Sequence, residues 1–359
     1  MTKCQQKVYQ RTPTILQLKE ISHSRKMSKM TSPPPTAADA AEETIGTTGF
    51  STLPTHIIES HVLTRLDGPA LASAASCSAA LRYLSSQNHL WTELCHSTWP
   101  STTSPRATHI ISTFPGGGPR AFFSHAFTNA QQNPISSSAA NPPPELISAV
   151  DIHYRDKLIL SKHQETESVS DWFRCSPFRI DLLETKEFVP TPIKHPEGDE
   201  TCTDIVDGMS LSWILIDPIQ RRVVNLSSHK PVTVQRHWLT GEVKIKFASI
   251  LAAENGHVMC SAAVTCGGSD SGKMQVTEVS LEMEDMDGVH LNGKDSLASL
   301  HRALDGKKGG DRRLRYEDYL EMRRERKERK VKTEEALDMF CLGFGVSIVL
   351  AFFLFLFCR

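Results

Sequence analysis

The sequence carries no excess of charge of either sign. Forty Lys and Arg stand against 41 Asp and Glu, a formal net charge of −1, so the basic footprint of a protein that coats nucleic acid is missing and no nucleic-acid partner is expected. It has no C-x-x-C pair either. Nine cysteines are scattered over 359 residues without regular spacing, which excludes a disulfide framework and a paired zinc knuckle and reads as reduced thiols. No two histidines lie four apart: His56 and His61 are five apart, His229 and His237 eight, so no helix face presents a metal pair. Gly116-Gly117-Gly118 is not followed by the Gly-Lys-Ser/Thr of a phosphate loop, and Cys266 to Gly272 lacks the G-x-S-x-G spacing that exposes a nucleophilic serine. These absences leave no enzyme, metal or cofactor reading, and the scattered residues support none.

What is present is unevenly distributed. Mean hydropathy is −0.28, yet Met339 to Cys358 contains no charged residue. As a helix rising about 1.5 Å per residue this run is roughly 30 Å long, the thickness of bilayer hydrocarbon, and it lacks the polar stripe of a buried soluble helix. One membrane crossing is expected over 336–358. Before it, Arg312 to Lys332 is richer in base than in acid. The positive-inside bias then places the bulk of the chain in the cytosol, a tail-anchored topology on the endoplasmic reticulum or another endomembrane rather than the mitochondrion. Pairs such as Glu321 with Arg324 and Glu325 with Arg329 predict a solvated juxtamembrane helix over 306–335; attraction of its basic residues to anionic lipid is the alternative. Residues 1–48, with Pro33-Pro34-Pro35, an Ala-rich run from Ala37 to Ala41 and few large apolar side chains, are expected to be disordered. Met1, Met27 and Met30 all remain open as the translation start.

From Leu53 the texture changes. Pro54 suits a first helical turn, Ile58, Val62 and Leu66 recur every four residues, and Gly68-Pro69 breaks the pattern. Leu71, Ala74, Ala75, Ser78, Leu81 and Leu84 form a second run; Leu90, Trp91, Leu94 and Cys95 form a third, ended by Trp99-Pro100. A small module of three helices over 49–100 follows. A module of about fifty residues buries little, and Leu53, Ile57 and Leu63 fall off the stripe the helices share. That apolar surplus calls for a partner.

The ordered set Leu53-Pro54, Ile57-Ile58, Val62-Leu63, Leu66, Leu71 and Leu90-Trp91 resembles an F-box. HVLTRLDGPALASAASCSAAL, then LWTELCHSTWPS and FPGGGPRAFFSHAF, resemble a group of plant F-box proteins over much of the chain. The resemblance implies docking to a Skp-type adaptor, and through it to the cullin and RING protein of a ubiquitin ligase, with the receptor doing no chemistry. Matched by position, Leu53 and Pro54 open the docking surface. Ile57, Ile58, Val62, Leu63 and Leu66 supply the first helix, Leu71 and Leu81 the second, and Leu90 with Trp91 the third, Trp91 being best suited to internal packing. Ala80 departs from the tryptophan many F-boxes carry, and Ser78-Ala79 from their usual basic residues, which puts the detail of the second helix in doubt.

Residues 101–145, broken by Gly116-Gly117-Gly118-Pro119 and Asn141-Pro142-Pro143-Pro144, read as an irregular connector with one short helix over Arg120 to Phe127. Through 146–305 the period falls to two: Val243, Ile245 and Phe247 alternate with lysines, and Val279, Leu281 and Met283 with Ser280 and Glu282. Leu211 to Ile216 suits a central strand, Val232, Val234 and Trp238 another, with a turn at Thr240-Gly241. The expected fold is therefore α+β: the helical module, an antiparallel sheet or sandwich of roughly six to eight strands, and a single transmembrane helix. The function that fits the order of parts is a membrane-anchored receptor that brings an unknown protein target to the ligase. Two alternatives remain. One is a lectin-like module stacking sugars on Trp172, Trp213 and Trp238; the other is an anchored scaffold without ligase output.

Overall fold

The computed structural model describes residues 53–127, 142–195, 199–254, 256–269, 272–305 and 316–359; the expectations for 1–48, for 128–141 of the connector, for 306–315 of the juxtamembrane helix and for the translation start lie outside them. Two antiparallel sheets form the centre. The first has the order β2-β1-β5-β6, from β1 (Glu145–Tyr154), β2 (Lys157–Glu167), β5 (Met209–Asp217) and β6 (Arg222–Asn225). The second runs β3-β10-β9-β8-β7, from β3 (Arg179–Asp181), β7 (Thr233–Arg236), β8 (Val243–Ala253), β9 (Gly256–Gly268) and β10 (Lys273–Glu284). A further strand, β4 (Val189–Lys194), pairs with β10 beyond β3. The described residues thus hold ten strands where six to eight were expected. The surplus comes from short pieces such as β3 and β6, whose three or four residues are too brief to show a period.

The two-residue alternation assigns each sheet face. In β5, Met209, Leu211, Trp213 and Leu215 point between the sheets, while Ile214 and Ile216 point the other way. From Trp213 onward this strand is buried on both faces, which is why Trp213 to Ile216 is continuously apolar. In the second sheet Val243, Ile245 and Phe247, with Val279, Leu281 and Met283, fill the inner face. Helix α9 (Gly293–Asp305) adds Leu297, Leu300 and Leu304 to the same core. Half-buried Arg222 ties that helix down by pairing with buried Asp217 at 2.7 Å and with Asp305. Two shorter helices, α7 (Asp171–Cys175) and α8 (Asp199–Gly208), sit in the connections.

Helices cover the outside of the first sheet. A helical segment runs through α1 (Thr55–Ile57), a π-turn (Ile58–Val62) and a 3-10 turn (Leu63–Arg65). It is followed by α2 (Gly68–Cys77), α3 (Ala79–Ser85), α4 (Asn88–Thr98), a 3-10 turn (Pro100–Thr103), α5 (Pro105–Ser112) and α6 (Pro119–Phe127). The second predicted helix is therefore two. Ser78 leaves helical geometry and its hydroxyl accepts from Leu81 N, so the chain restarts there with a fresh cap. The helix expected over 120–127 is present, but 105–112 is a second helix in a stretch read as irregular; the Ser104 hydroxyl caps it and Pro105 occupies its first turn. On the outside of the second sheet lies the start of α10 (Tyr316–Phe357), 42 residues long.

Candidate functional site

The first helical segment is wound unevenly, and this decides which side chains it offers. A π-turn carries more residues per turn than an α-helix and brings positions five apart onto one face. Ile58 and Leu63 both enter the core for that reason. Leu63 is 2% exposed, which corrects the expectation that it lies off the shared stripe. Val62, expected on the stripe, is only half-buried and is not part of the core cluster. A regular four-residue period could not have revealed this shift.

The eleven candidate residues accordingly divide. Ile58, Leu63, Leu71, Leu90 and Trp91 are buried within the chain. Trp91 donates from Nε1 to Ser85 O at 2.7 Å and packs 5.6 Å from the Phe123 ring. Leu66 and Leu81 are half-buried against the same core. Leu53, 40% exposed, together with Pro54, Ile57 and Val62, makes an accessible apolar rim along the first segment. Tyr83 is exposed on α3, and no periodicity marked it. His89 lies 3.0 Å from Glu59, linking α4 to the first segment.

The module is welded to the sandwich. Phe122, Phe123, Trp99, Phe114 and Ile110 share one core with Ile147, Ala149, Ile214, Ile216 and Val223 of the first sheet. Gly68 is required where α2 meets this core, because a Cβ there would lie 2.0 Å from Phe123. Polar contacts reinforce the join. Buried Asp151 of β1 accepts from Ser101 N at 2.9 Å and from the Ser101 hydroxyl at 2.5 Å. Burial pushes the Asp151 carboxyl above its usual range, against the hydrogen bonds from Ser101 and Ser161. Nearby, Arg106 bonds Glu145 at 2.5 Å and Glu165 at 2.6 Å, and its hydrogen bond holds Glu145 below the usual carboxylate range.

The tryptophans considered for sugar stacking separate cleanly. Trp213 is in the core with Nε1 donating to the Ser148 hydroxyl at 3.2 Å. Trp172 is 82% and Trp238 87% exposed. Trp238 belongs to no strand: β7 ends at Arg236, and the chain turns through Gly241 at φ +74. Among the described residues no group of three or more His, Cys, Asp or Glu stands together as a metal site. Buried Cys95, Cys260 and Cys266 have thiols pushed up to about 12 by loss of hydration, which makes them unreactive.

The neck is not the freely solvated helix expected. Tyr319 is buried among Ala248, Ile250 and Met259, and its hydroxyl donates to Asp285 O at 3.0 Å. Arg323 pairs with Glu284 at 3.5 Å, and Asp287 receives Arg326 at 3.0 Å and Lys330 at 2.9 Å. Of the two expected pairs within the helix, Arg324 meets Glu321 at 3.4 Å, whereas Arg329 donates to the main-chain oxygen of Glu325. Beyond the neck the same helix is long and apolar enough to cross a membrane.

No family model and no solved structure matches the chain. Three proteins of Arabidopsis thaliana do. One, described as a probable F-box protein, is 45% identical over 305 residues, covering 83% of this chain and 90% of the relative. A second F-box protein is 41% identical over 340 residues, 89% of this chain and all of the relative. A third is 38% identical over 332 residues, 86% and 90% respectively.

Proposed function

With the chain's membership of the plant F-box proteins as premise, we propose that it is a non-catalytic substrate receptor, joining a target protein to a Skp-cullin-RING ubiquitin ligase. The observation that carries this reading is the apolar rim of exposed Leu53 and Pro54 with half-buried Ile57 and Val62, lying over a core in which Ile58, Leu63, Leu71, Leu90 and Trp91 are packed inward. A helix-face interface of this kind binds through a few aliphatic anchors, each costing on the order of 2 kcal/mol when truncated. Leu66 and Leu81 extend the rim; Ile58, Leu63, Leu71, Leu90 and Trp91 support it from beneath. The test is a pull-down of adaptor and cullin from detergent-solubilised cells, wild type against Leu53→Ala/Pro54→Ala. Capture by wild type and loss by the variant is expected. Failure of wild type to capture either protein removes the receptor role.

The reading includes a membrane anchor, α10 from about residue 339 onward, with the basic neck keeping the rest of the chain on the cytosolic side of an endomembrane. Resistance of the protein to alkaline extraction from membranes, and digestion of the sandwich by protease added outside intact vesicles, is the expected pair of results. Exposed Trp172 and Trp238 favour one other use of the sandwich, sugar stacking. A glycan array showing binding that Trp238→Ala abolishes would support it.

A further inference from the structure

We propose that the end of the sandwich formed by the Asp285–Val289 turn and the β8–β9 hairpin faces the bilayer, and that α10 holds it within about 10 Å of the lipid headgroups. This rests on the anchoring reading above and adds an orientation to it. The neck and the apolar run are one uninterrupted helix, Tyr316–Phe357, so whatever fixes the neck against the sandwich also fixes the sandwich against the membrane.

The contacts give the direction. Tyr319 lies against Ile250 on the outer face of the second sheet, three residues before β8 ends, and Arg326 lines a cavity with Ala253, Glu254 and His257 at the hairpin end. Seven helical residues advance about 10 Å, and β8 from Ile250 to Ala253 also advances about 10 Å. Helix and strand therefore travel side by side, and the helix leaves at the end where β8 turns into β9. The Asp285–Val289 turn is at that same end, because it follows Glu284, which pairs with Met259 near the start of β9. Val289 there is 61% exposed.

Height follows from length. Lys330, the last neck residue touching Asp287, precedes Met339 by nine positions, about 13 Å of helix. Headgroups occupy roughly 5–8 Å of that per leaflet. The turn carrying Trp238 and Leu239 is at the other end of β8, about 30 Å farther from the bilayer. Arg323, Arg326 and Lys330 are engaged by Glu284 and Asp287 rather than free to bind anionic lipid. A target that contacts the near end is thus one held at the membrane surface.

The orientation is measurable in the full chain. The protein is reconstituted into phosphatidylcholine vesicles bearing a headgroup-attached acceptor dye, with a donor on an unnatural amino acid at position 289 or 239, and floated on a density gradient. Transfer to a plane of acceptors falls steeply with height, so with heights differing by about 30 Å the rate from 289 should exceed that from 239 more than about tenfold. Equal rates, or a faster rate from 239, in protein that floats with the vesicles would overturn the orientation while leaving the anchor intact. Protein that stays at the bottom of the gradient would overturn the anchor and the orientation with it.

Discussion

Each outer face of the sandwich carries helices, and the two faces hold them by different physics. On the four-stranded side the join is a continuous core of Trp99, Phe114, Phe122 and Phe123 against Ile147, Ile214 and Ile216, with a buried carboxylate at Asp151. On the six-stranded side it is one buried tyrosine and a set of ion pairs to Glu284 and Asp287. Burial of apolar area responds little to salt, whereas exposed ion pairs are weak and screened. The helical module is consequently a fixed part of the fold, and the neck is a grip that solution conditions can loosen.

The strongest way to break this contrast is Phe122→Ala. The ring is fully buried between module and sheet, so its loss should cost about 3–5 kcal/mol, read by urea denaturation of the detergent-solubilised chain. A cost below about 1 kcal/mol would show that module and sandwich do not share a core. A smaller effect is expected at Asp151. Its folded pKa is raised from the usual 3.8 by burial, so its contribution is greatest below that value and is lost as pH rises through the folded one. Asp151→Asn does not titrate there. Between about pH 4 and about pH 7 the melting temperature of the variant should therefore rise relative to wild type. A gap that stays constant, or moves the other way, would mean the carboxylate is not held protonation-prone in the join.

Much of this was legible in the residues, for identifiable reasons. Strands such as β8 announced themselves because Lys244 and Lys246 face out while Val243, Ile245 and Phe247 face in. Long runs with a clean period survive folding unchanged. The apolar rim is legible only in outline: the spacing marks Leu53, Ile57 and Leu63 as surplus, but Leu63 enters the core because the π-turn at Ile58–Val62 adds a residue to the period. The helix Pro105–Ser112 was hidden by flanking Pro and Gly. Nothing local in the sequence could show that the neck's bases answer Glu284 and Asp287, since these partners lie some forty positions away in the chain. Pairing within the helix was visible; pairing across the fold was not.

The mildest perturbation addresses that grip. Asp287 is held below the usual carboxylate range first by its hydrogen bond from Lys330 and then by Arg326. Its contribution is present above the usual 3.8 and lost only as pH falls through the lower folded value, so around neutrality pH does nothing and salt is the lever. At about 1 M salt the screening length falls to about 3 Å, comparable to the pairs themselves. Amide hydrogen exchange across 319–330 should then speed up while 90–123 stays protected, and Asp287→Asn should reproduce the change at low salt. The same acceleration in both segments would mean that the two faces are held alike. No acceleration in either would leave Tyr319 as the whole of the grip, which Tyr319→Phe, keeping the ring and removing only the bond to Asp285 O, should barely disturb.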